Sequence, residues 1–191
     1  MSQPPTLSGY APLSRTGATL SPCGTYRYTL WRTWAQSVSR LIAYVMLNPS
    51  TADETVDDPT IRKCIGFAKQ LEFDGLWVFN LFAYRCTSPS ALPKDAGTAI
   101  GPDNDRWLRS IDTRFGMVVA AWGAKGGRWN RDRSALEMLR QSHDVYCLRK
   151  TKEGHPEHPL YIPYTAKPAL LATNKERGNS ENIPEMRDKP A

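Results

Sequence analysis

The chain has 191 residues, 40% of them hydrophobic, and a formal net charge of +6. This length and composition predict one globular domain with one sizeable core, and no apolar run approaches the roughly 18 residues that a membrane span requires. Because no basic N-terminal segment precedes an apolar stretch, we expect no signal peptide, no membrane partner and a cytoplasmic protein. The four cysteines form no C-x-x-C pair, so neither a structural zinc site nor a disulfide framework is predicted.

The predicted domain lies between two polar ends. Residues 1–20 are rich in Pro, Ser, Thr and Gly and are expected to form a flexible arm. Residues 21–173 are expected to form a single α/β domain, and residues 174–191 read as a disordered tail.

Strand-like and helix-like patterns alternate along this domain. Strand-like spacing over 26–34 and the apolar run 41–47 predict two strands, which the polar link 35–40 would join as an antiparallel hairpin. Asp58 and Pro59 are residue types typical of a helix cap and first turn. Further strands are predicted over 76–81, 117–122 and 145–148, and further helices over 103–115 and 131–141. This alternation predicts a three-layer α/β/α fold with a central, mainly parallel sheet.

Polar residues follow the predicted strands at their carboxyl ends, where open α/β sheets bind ligands. Asn48 and Ser50 follow the strand 41–47, Asn80 lies within the apolar run WVFNLF, and His155 and His158 come after the last strand. An asparagine in an apolar run is costly to bury unless its amide is satisfied. That amide offers one acceptor and two donors, which match the edge of a nucleobase. Bonding to neighbouring backbone would satisfy Asn80 equally well.

Two further segments have alternative interpretations. The acidic group Asp53, Glu54, Asp57 and Asp58 either binds magnesium or ends a loop and favours the following helix. The glycine-rich segment 123–127 resembles a phosphate cradle but lacks the spacing of a P-loop. The two histidines have no clear third ligand, so no metal is predicted.

The basic residues are concentrated in one region. Residues 124–152 carry eight basic and three acidic side chains and include Trp129. Such a stretch indicates either binding to phosphate backbones or a solvated helix face. The expected partner is therefore DNA or a nucleotide.

Four motifs in chain order resemble those of the uracil-DNA glycosylase superfamily: MLNPS, GLWVFNLFAYR, VVAAWGAKGG and HPEHPLY. The resemblance implies a fold of that kind and a role for three residues. Asn48 would orient a water at the sugar C1′, Asn80 would hydrogen-bond the base edge, and His158 would donate to the base oxygen. His155 is an alternative to His158, because the His-Pro loop aligns in two ways.

The same resemblance implies further contacts. Ser50, Phe82 and Tyr84 are candidates for base binding, and Lys125, Arg128, Leu160 and Tyr161 are candidates for contacts with DNA. Leu160 would fill the gap left by a flipped base.

Residues 41–161 also resemble an uncharacterised family of bacterial and phage proteins, the domain of unknown function numbered 1643. The features that carry this resemblance are LNPSTAD, DPT, NLFAYR, the Gly-Pro-x-Asn-Asp stretch at 101–105, AWG and HPLY. It implies little about activity.

Two functions therefore stay open. The first is a DNA glycosylase-like hydrolase that removes a damaged or modified base and uses no metal or cofactor. The second is a non-catalytic nucleobase-, nucleotide- or DNA-binding protein in a phage, defence or base-modification pathway. It is considered because the amide of Asn48 cannot act as a general base. A phosphate-handling enzyme that uses the acidic group and segment 123–127 is a third interpretation.

Overall fold

A seven-stranded mixed sheet forms the centre of the computed structural model, which describes residues 15–50 and 57–175. The strands are β1 (Thr16–Leu20), β2 (Arg27–Thr33), β3 (Leu41–Met46), β4 (Gly75–Asn80), β5 (Phe115–Ala120), β6 (Val145–Cys147) and β7 (Ala169–Ala172). They lie side by side in the order β1-β2-β4-β3-β5-β6-β7. The pairs β4–β3, β3–β5 and β5–β6 are parallel, and the other three are antiparallel. The four central strands thus run parallel as predicted, whereas the antiparallel edges make the whole sheet mixed.

Helices cover both faces of this sheet. The described residues form α1 (Pro59–Gln70), α2 (Ala96–Ile100), α3 (Asn104–Arg109) and α4 (Arg131–Leu139). Because successive strand residues point to opposite faces, each strand contributes to two separate cores. One core joins Tyr44 and Val78 to Phe67 of α1. The other joins Val45 and Phe79 to Leu108 of α3 and Leu139 of α4, among other residues.

The start of α1 follows the sequence prediction. The Asp58 carboxylate accepts a hydrogen bond from the Ile61 N–H at 2.8 Å, and Pro59 occupies the first turn. This cap satisfies one of the free N–H groups at the helix start. The helix start predicted at Asp58 and Pro59 is therefore confirmed.

The predicted hairpin between β2 and β3 is wrong. The two strands run in opposite directions, but β4 lies between them and pairs with both. All six residues of β4 are buried. A strand that is apolar on both faces is stabilised most in the middle of a sheet. The link 35–40, which joins β2 to β3, therefore passes the end of β4.

Other boundaries also differ from the sequence analysis. Residues 16–20, expected within the flexible arm, form β1 and pair with β2. The helix predicted over 103–115 ends at Arg109, because β5 already begins at Phe115. The edge strand β7 was not predicted. The rest of the arm, the tail from 176 onward, and Asp53 and Glu54 lie outside the described residues. Within the described ranges, no helix is long and apolar enough to cross a membrane.

Candidate functional site

A cavity of about 530 Å³ lies at the carboxyl ends of β3, β4 and β5. Among the residues that line it are six predicted from the sequence: Asn48, Ser50, Asn80, Lys125, His158 and Tyr161. A second cavity, of about 600 Å³, lies between α3 and α4 and is lined by residues such as Arg109 and Glu137. It contains none of the predicted site residues. The first cavity is therefore the candidate site.

The Asn48 carboxamide has a defined orientation. Its Nδ2 donates to the Cys86 carbonyl oxygen at 2.9 Å and to the Pro49 carbonyl oxygen at 3.2 Å. Only the amide nitrogen can donate to carbonyl oxygens, so the geometry identifies which amide atom is which. The remaining atom, Oδ1, is a hydrogen-bond acceptor at the cavity wall.

Asn80 is a buried polar residue of the cavity lining. It ends β4 and is only 2% exposed as a whole residue. Its backbone carbonyl accepts a hydrogen bond from Asn104, and the structure shows no hydrogen bond between described residues that uses its carboxamide. A buried amide is costly unless it is hydrogen-bonded. Because Asn80 lines the cavity, a ligand bound there can supply such a bond.

A group of buried polar residues holds the end of β4 in place. Asn104 Nδ2 donates to the carbonyl oxygens of Asn80 and Leu81, both at 2.9 Å. Arg131 Nε also donates to the Leu81 carbonyl at 2.8 Å, and Arg131 Nη2 lies 2.5 Å from Asp105 Oδ1. These roles were not predicted from the sequence, where the one signal is the Asn-Asp pair within the stretch 101–105.

His158 reaches the cavity as a neutral side chain. Its Nδ1 accepts a hydrogen bond from the Leu160 N–H at 3.4 Å, so the ring proton is on Nε2. Burial lowers the pKa of His158, and this effect exceeds the opposite influence of the Asp58 carboxylate. A neutral imidazole whose Nδ1 is occupied offers Nε2–H as a hydrogen-bond donor.

Several hydrogen bonds hold the loop around His158. The Arg149 guanidinium bonds both oxygens of Glu157, at 2.6 and 2.8 Å, and donates to the Tyr161 carbonyl at 3.2 Å. The Gly123 N–H donates to the Pro156 carbonyl at 2.8 Å, which ties this loop to the turn after β5. His155 lies in the turn of the loop, where its backbone bonds Thr151, and it does not line the cavity.

Four more predicted residues lie away from the cavity lining. Phe82 is fully buried and contacts Trp129, and Tyr84 meets Tyr26 edge to face. Arg128 donates to the Pro93 carbonyl and covers the Trp129 ring. Leu160 is 39% exposed, between His158 and the 71% exposed Tyr161. Phe82 is thus engaged in the protein interior, whereas Tyr84 is half-buried against Tyr26.

The alternative sites receive less support from the geometry. Asp57 pairs with Arg32 at 2.7 Å and Asp58 caps α1, so these two carboxylates already have partners. In the segment 123–127, the N–H groups of Gly123 and Gly126 both donate to backbone carbonyls. No group of three or more His, Cys, Asp or Glu within 15–50 and 57–175 could hold a metal ion.

Three charged side chains line the cavity among the described residues: Arg27 and Lys125 are basic, and Asp58 is acidic. Arg27 was not identified from the sequence, because it stands in a run of aromatic residues and threonine.

The family of the chain can be assigned by comparison with known proteins. Residues 27–160 match the family described as Protein of unknown function (DUF1643), a range that contains Asn48, Asn80 and His158. No curated protein and no solved structure matches the chain. The family match covers well over half of the chain and includes every strand that lines the cavity, so the protein belongs to the DUF1643 family.

Proposed function

We propose that this protein is a glycosylase-like hydrolase that cleaves the N-glycosidic bond of a nucleobase in DNA. The observation that carries the proposal is the convergence of Asn48, Asn80 and His158 on one cavity. They come from three separate segments, and their order along the chain matches the motif order of the uracil-DNA glycosylase superfamily. The same proposal includes a three-layer fold of the uracil-DNA glycosylase kind, DNA as the partner and a cytoplasmic location of the protein.

Each residue has a role that follows from its surroundings. Asn80 binds the base edge, because a buried amide with both donors and an acceptor matches that edge. Asn48 Oδ1 accepts a hydrogen bond from the attacking water, since its Nδ2 donates to the Cys86 carbonyl. His158 Nε2–H donates to an acceptor atom of the base, where negative charge develops as the bond breaks.

The reaction needs no group beyond water. The oxygen of water forms a bond to C1′ while the C1′–N bond breaks, and the electron pair of that bond leaves with the base. The water proton that is not retained by the new hydroxyl neutralises the base anion. Asn48 orients the water but cannot remove its proton, so this chemistry is expected to be slow.

The outer residues would hold the DNA strand. Lys125 lies at the rim of the cavity and is exposed, which suits contact with a phosphate. Leu160 and Tyr161 project beside His158, where an apolar side chain can replace an extruded base.

The test is a base-release assay. Purified protein would be incubated with duplex and single-stranded oligonucleotides that carry uracil, hypoxanthine, mismatches or hypermodified pyrimidines, and abasic sites would be detected by alkaline cleavage. Cleavage should be lost in Asn80→Ala and His158→Gln. His155→Gln is the matched control, because His155 lies in the same loop but outside the cavity. Cleavage that is unaffected by Asn80→Ala and His158→Gln would contradict the proposal.

A second candidate function is base binding without cleavage. The observation that favours it is that Asp58, the one carboxylate lining the cavity among the described residues, already caps α1. Saturable binding of DNA or nucleotides with no abasic product would support this candidate over the first.

A further inference from the structure

Asp58 contributes a carboxylate to the cavity from the start of α1. It is the one acidic side chain that lines the cavity among the described residues, and Asn48 and His158 line the same cavity. Asp58 lies outside the four motifs that resemble those of the uracil-DNA glycosylase superfamily. Its role in the cavity is therefore not implied by that resemblance.

None of the three residues that carry the proposed hydrolysis is free to remove a proton from water. The carboxamides of Asn48 and Asn80 are not bases. His158 has one unprotonated ring nitrogen, Nδ1, which already accepts a hydrogen bond from the Leu160 N–H. A group that removes this proton would therefore come from another residue of the cavity lining.

The helix cap uses only one of the two carboxylate oxygens of Asp58. Oδ1 accepts from the Ile61 N–H at 2.8 Å, which fixes the orientation of the side chain at the start of α1. The structure shows no hydrogen bond between described residues to Oδ2. An ionised carboxylate has acceptor sites on both oxygens, so the capping contact leaves Oδ2 able to accept a proton.

Asp58 lies close enough to His158 to act on it electrostatically. Burial lowers the pKa of His158, and the negative charge of Asp58 acts on the same ring in the opposite direction. A neighbouring charge has such an effect only at short range. The carboxylate and the proposed donor to the nucleobase are therefore neighbours in one cavity.

We propose that Asp58 is a catalytic residue, the general base that takes a proton from the attacking water through Oδ2; this rests on the proposed function of the protein as an N-glycosidic hydrolase. The water oxygen bonds to C1′ as the C1′–N bond breaks, and the electron pair of that bond leaves with the nucleobase. The water proton moves to Asp58 Oδ2 and then neutralises the nucleobase anion, so the carboxylate is regenerated. Asn48 orients the water, and Asp58 supplies the basicity that the amide lacks.

The substitution that tests this role is Asp58→Asn. Asparagine caps a helix about as well as aspartate does, because its Oδ1 also accepts from the helix N–H, but it cannot take a proton. The purified full chain would be assayed on the oligonucleotides of the base-release assay, with the single-turnover cleavage rate and the affinity for the oligonucleotide measured separately. We expect the cleavage rate to fall at least about 100-fold, while the affinity does not weaken.

Asp95→Asn is the matched control. Asp95 caps α2 in the same way, by accepting from the Thr98 N–H at 2.8 Å, and it does not line the cavity. This variant should cleave at the parent rate. Urea denaturation would measure the stability of both variants and so separate the loss of a cap from the loss of a base. Asp58→Ser, which also retains a capping oxygen, should lose cleavage as Asp58→Asn does.

The two proposals can fail separately. If the parent releases nucleobase and Asp58→Asn releases it at the same rate, the general-base role is overturned and the hydrolase stands. A parent that releases no nucleobase from any of the oligonucleotides would refute the hydrolase, and this role with it. Cleavage lost together with oligonucleotide binding would also overturn the inference, because a general base acts on the chemical step and not on binding.

Discussion

Asn48 and Cys86 join two strand ends of the sheet. The Asn48 Nδ2 lies 2.9 Å from the Cys86 carbonyl oxygen and 3.3 Å from the Cys86 sulfur. Asn48 follows β3 and Cys86 follows β4, and both line the cavity. One carboxamide therefore holds the cavity rim through its nitrogen and offers its oxygen as an acceptor. The stability of the rim and the proposed chemistry depend on the same side chain.

Asn48→Asp should destabilise the protein and abolish base release. A carboxylate would place an oxygen against the carbonyl oxygens of Pro49 and Cys86, where the amide now donates. Leaving such groups unsatisfied costs about 1–3 kcal/mol. Urea denaturation would measure the change, and Ser50→Ala at the same corner should stay close to the parent. An Asn48→Asp variant that is as stable as the parent and releases base faster would show that a carboxylate is tolerated there as a general base.

Activity should persist as the pH drops through about 6.5, the ordinary pKa of histidine, and should fall only at a lower pH. Burial lowers the pKa of His158, so the neutral donor persists to a pH below that value and is lost when the pH falls through the lowered pKa. NMR titration of the imidazole would locate the pKa. A His158 that titrates above 6.5 would contradict the neutral-donor role.

Stability should decrease in the same pH range. Between the lowered pKa of the folded state and the ordinary pKa of the unfolded chain, the unfolded state binds more protons, so the free energy of unfolding decreases as pH falls. His143 contributes in the same direction, because burial also lowers its pKa. Unfolding measured from pH 5 to 8 should show a slope that His158→Gln reduces but does not remove. Carboxylates with lowered pKa values, such as Asp74, lose their contribution only at much lower pH.

The sequence predicts the local features of this protein well. Asp58 and Pro59 lie next to each other and to the helix they start, so residue type alone indicates the cap. The apolar run around Asn80 likewise predicts a buried strand with a polar end. These features depend on residues a few positions apart.

Features that depend on strand order could not be predicted. Nothing in the sequence indicates that β4 lies between β2 and β3, and this order lets Arg27 of β2 and Asn80 of β4 line the same cavity. The hydrogen bonds from Asn104 to the Asn80 and Leu81 carbonyls cross more than twenty residues of chain. An asparagine such as Asn104 in a polar stretch could equally be solvated or bind a distant strand, and the sequence does not distinguish the two cases.

Asn104→Asp should loosen the end of β4. Asn104 is buried, and its Nδ2 donates to two carbonyl oxygens that an aspartate oxygen would repel. We expect the free energy of unfolding to decrease by about 1–3 kcal/mol. Ser134→Ala, an exposed change on α4, should stay within about 0.5 kcal/mol of the parent. Faster hydrogen exchange at the Leu81 amide, which donates to the Met46 carbonyl, would identify β4 as the affected element.

Gly126 and Gly127 provide a matched pair of substitutions in the turn after β5. A Cβ on Gly126 would lie 2.2 Å from Trp122 Cδ1 and 3.0 Å from Leu81 Cδ1, whereas a Cβ on Gly127 meets nothing closer than Asp132 Oδ2 at 3.8 Å. Gly126→Ala must therefore displace Trp122, and overpacking of this kind costs about 1–3 kcal/mol.

Gly126→Ala should also weaken ligand binding, because Trp122 and Lys125 both line the cavity. Gly127→Ala restricts the unfolded chain to the same degree but meets no close atom, so it should leave stability and binding near those of the parent. Thermal unfolding and titration with the oligonucleotides of the base-release assay would separate the effects on the two variants. If both variants bound and unfolded alike, the position of Trp122 would not control the cavity, and the turn after β5 would contribute to the site through Lys125 alone.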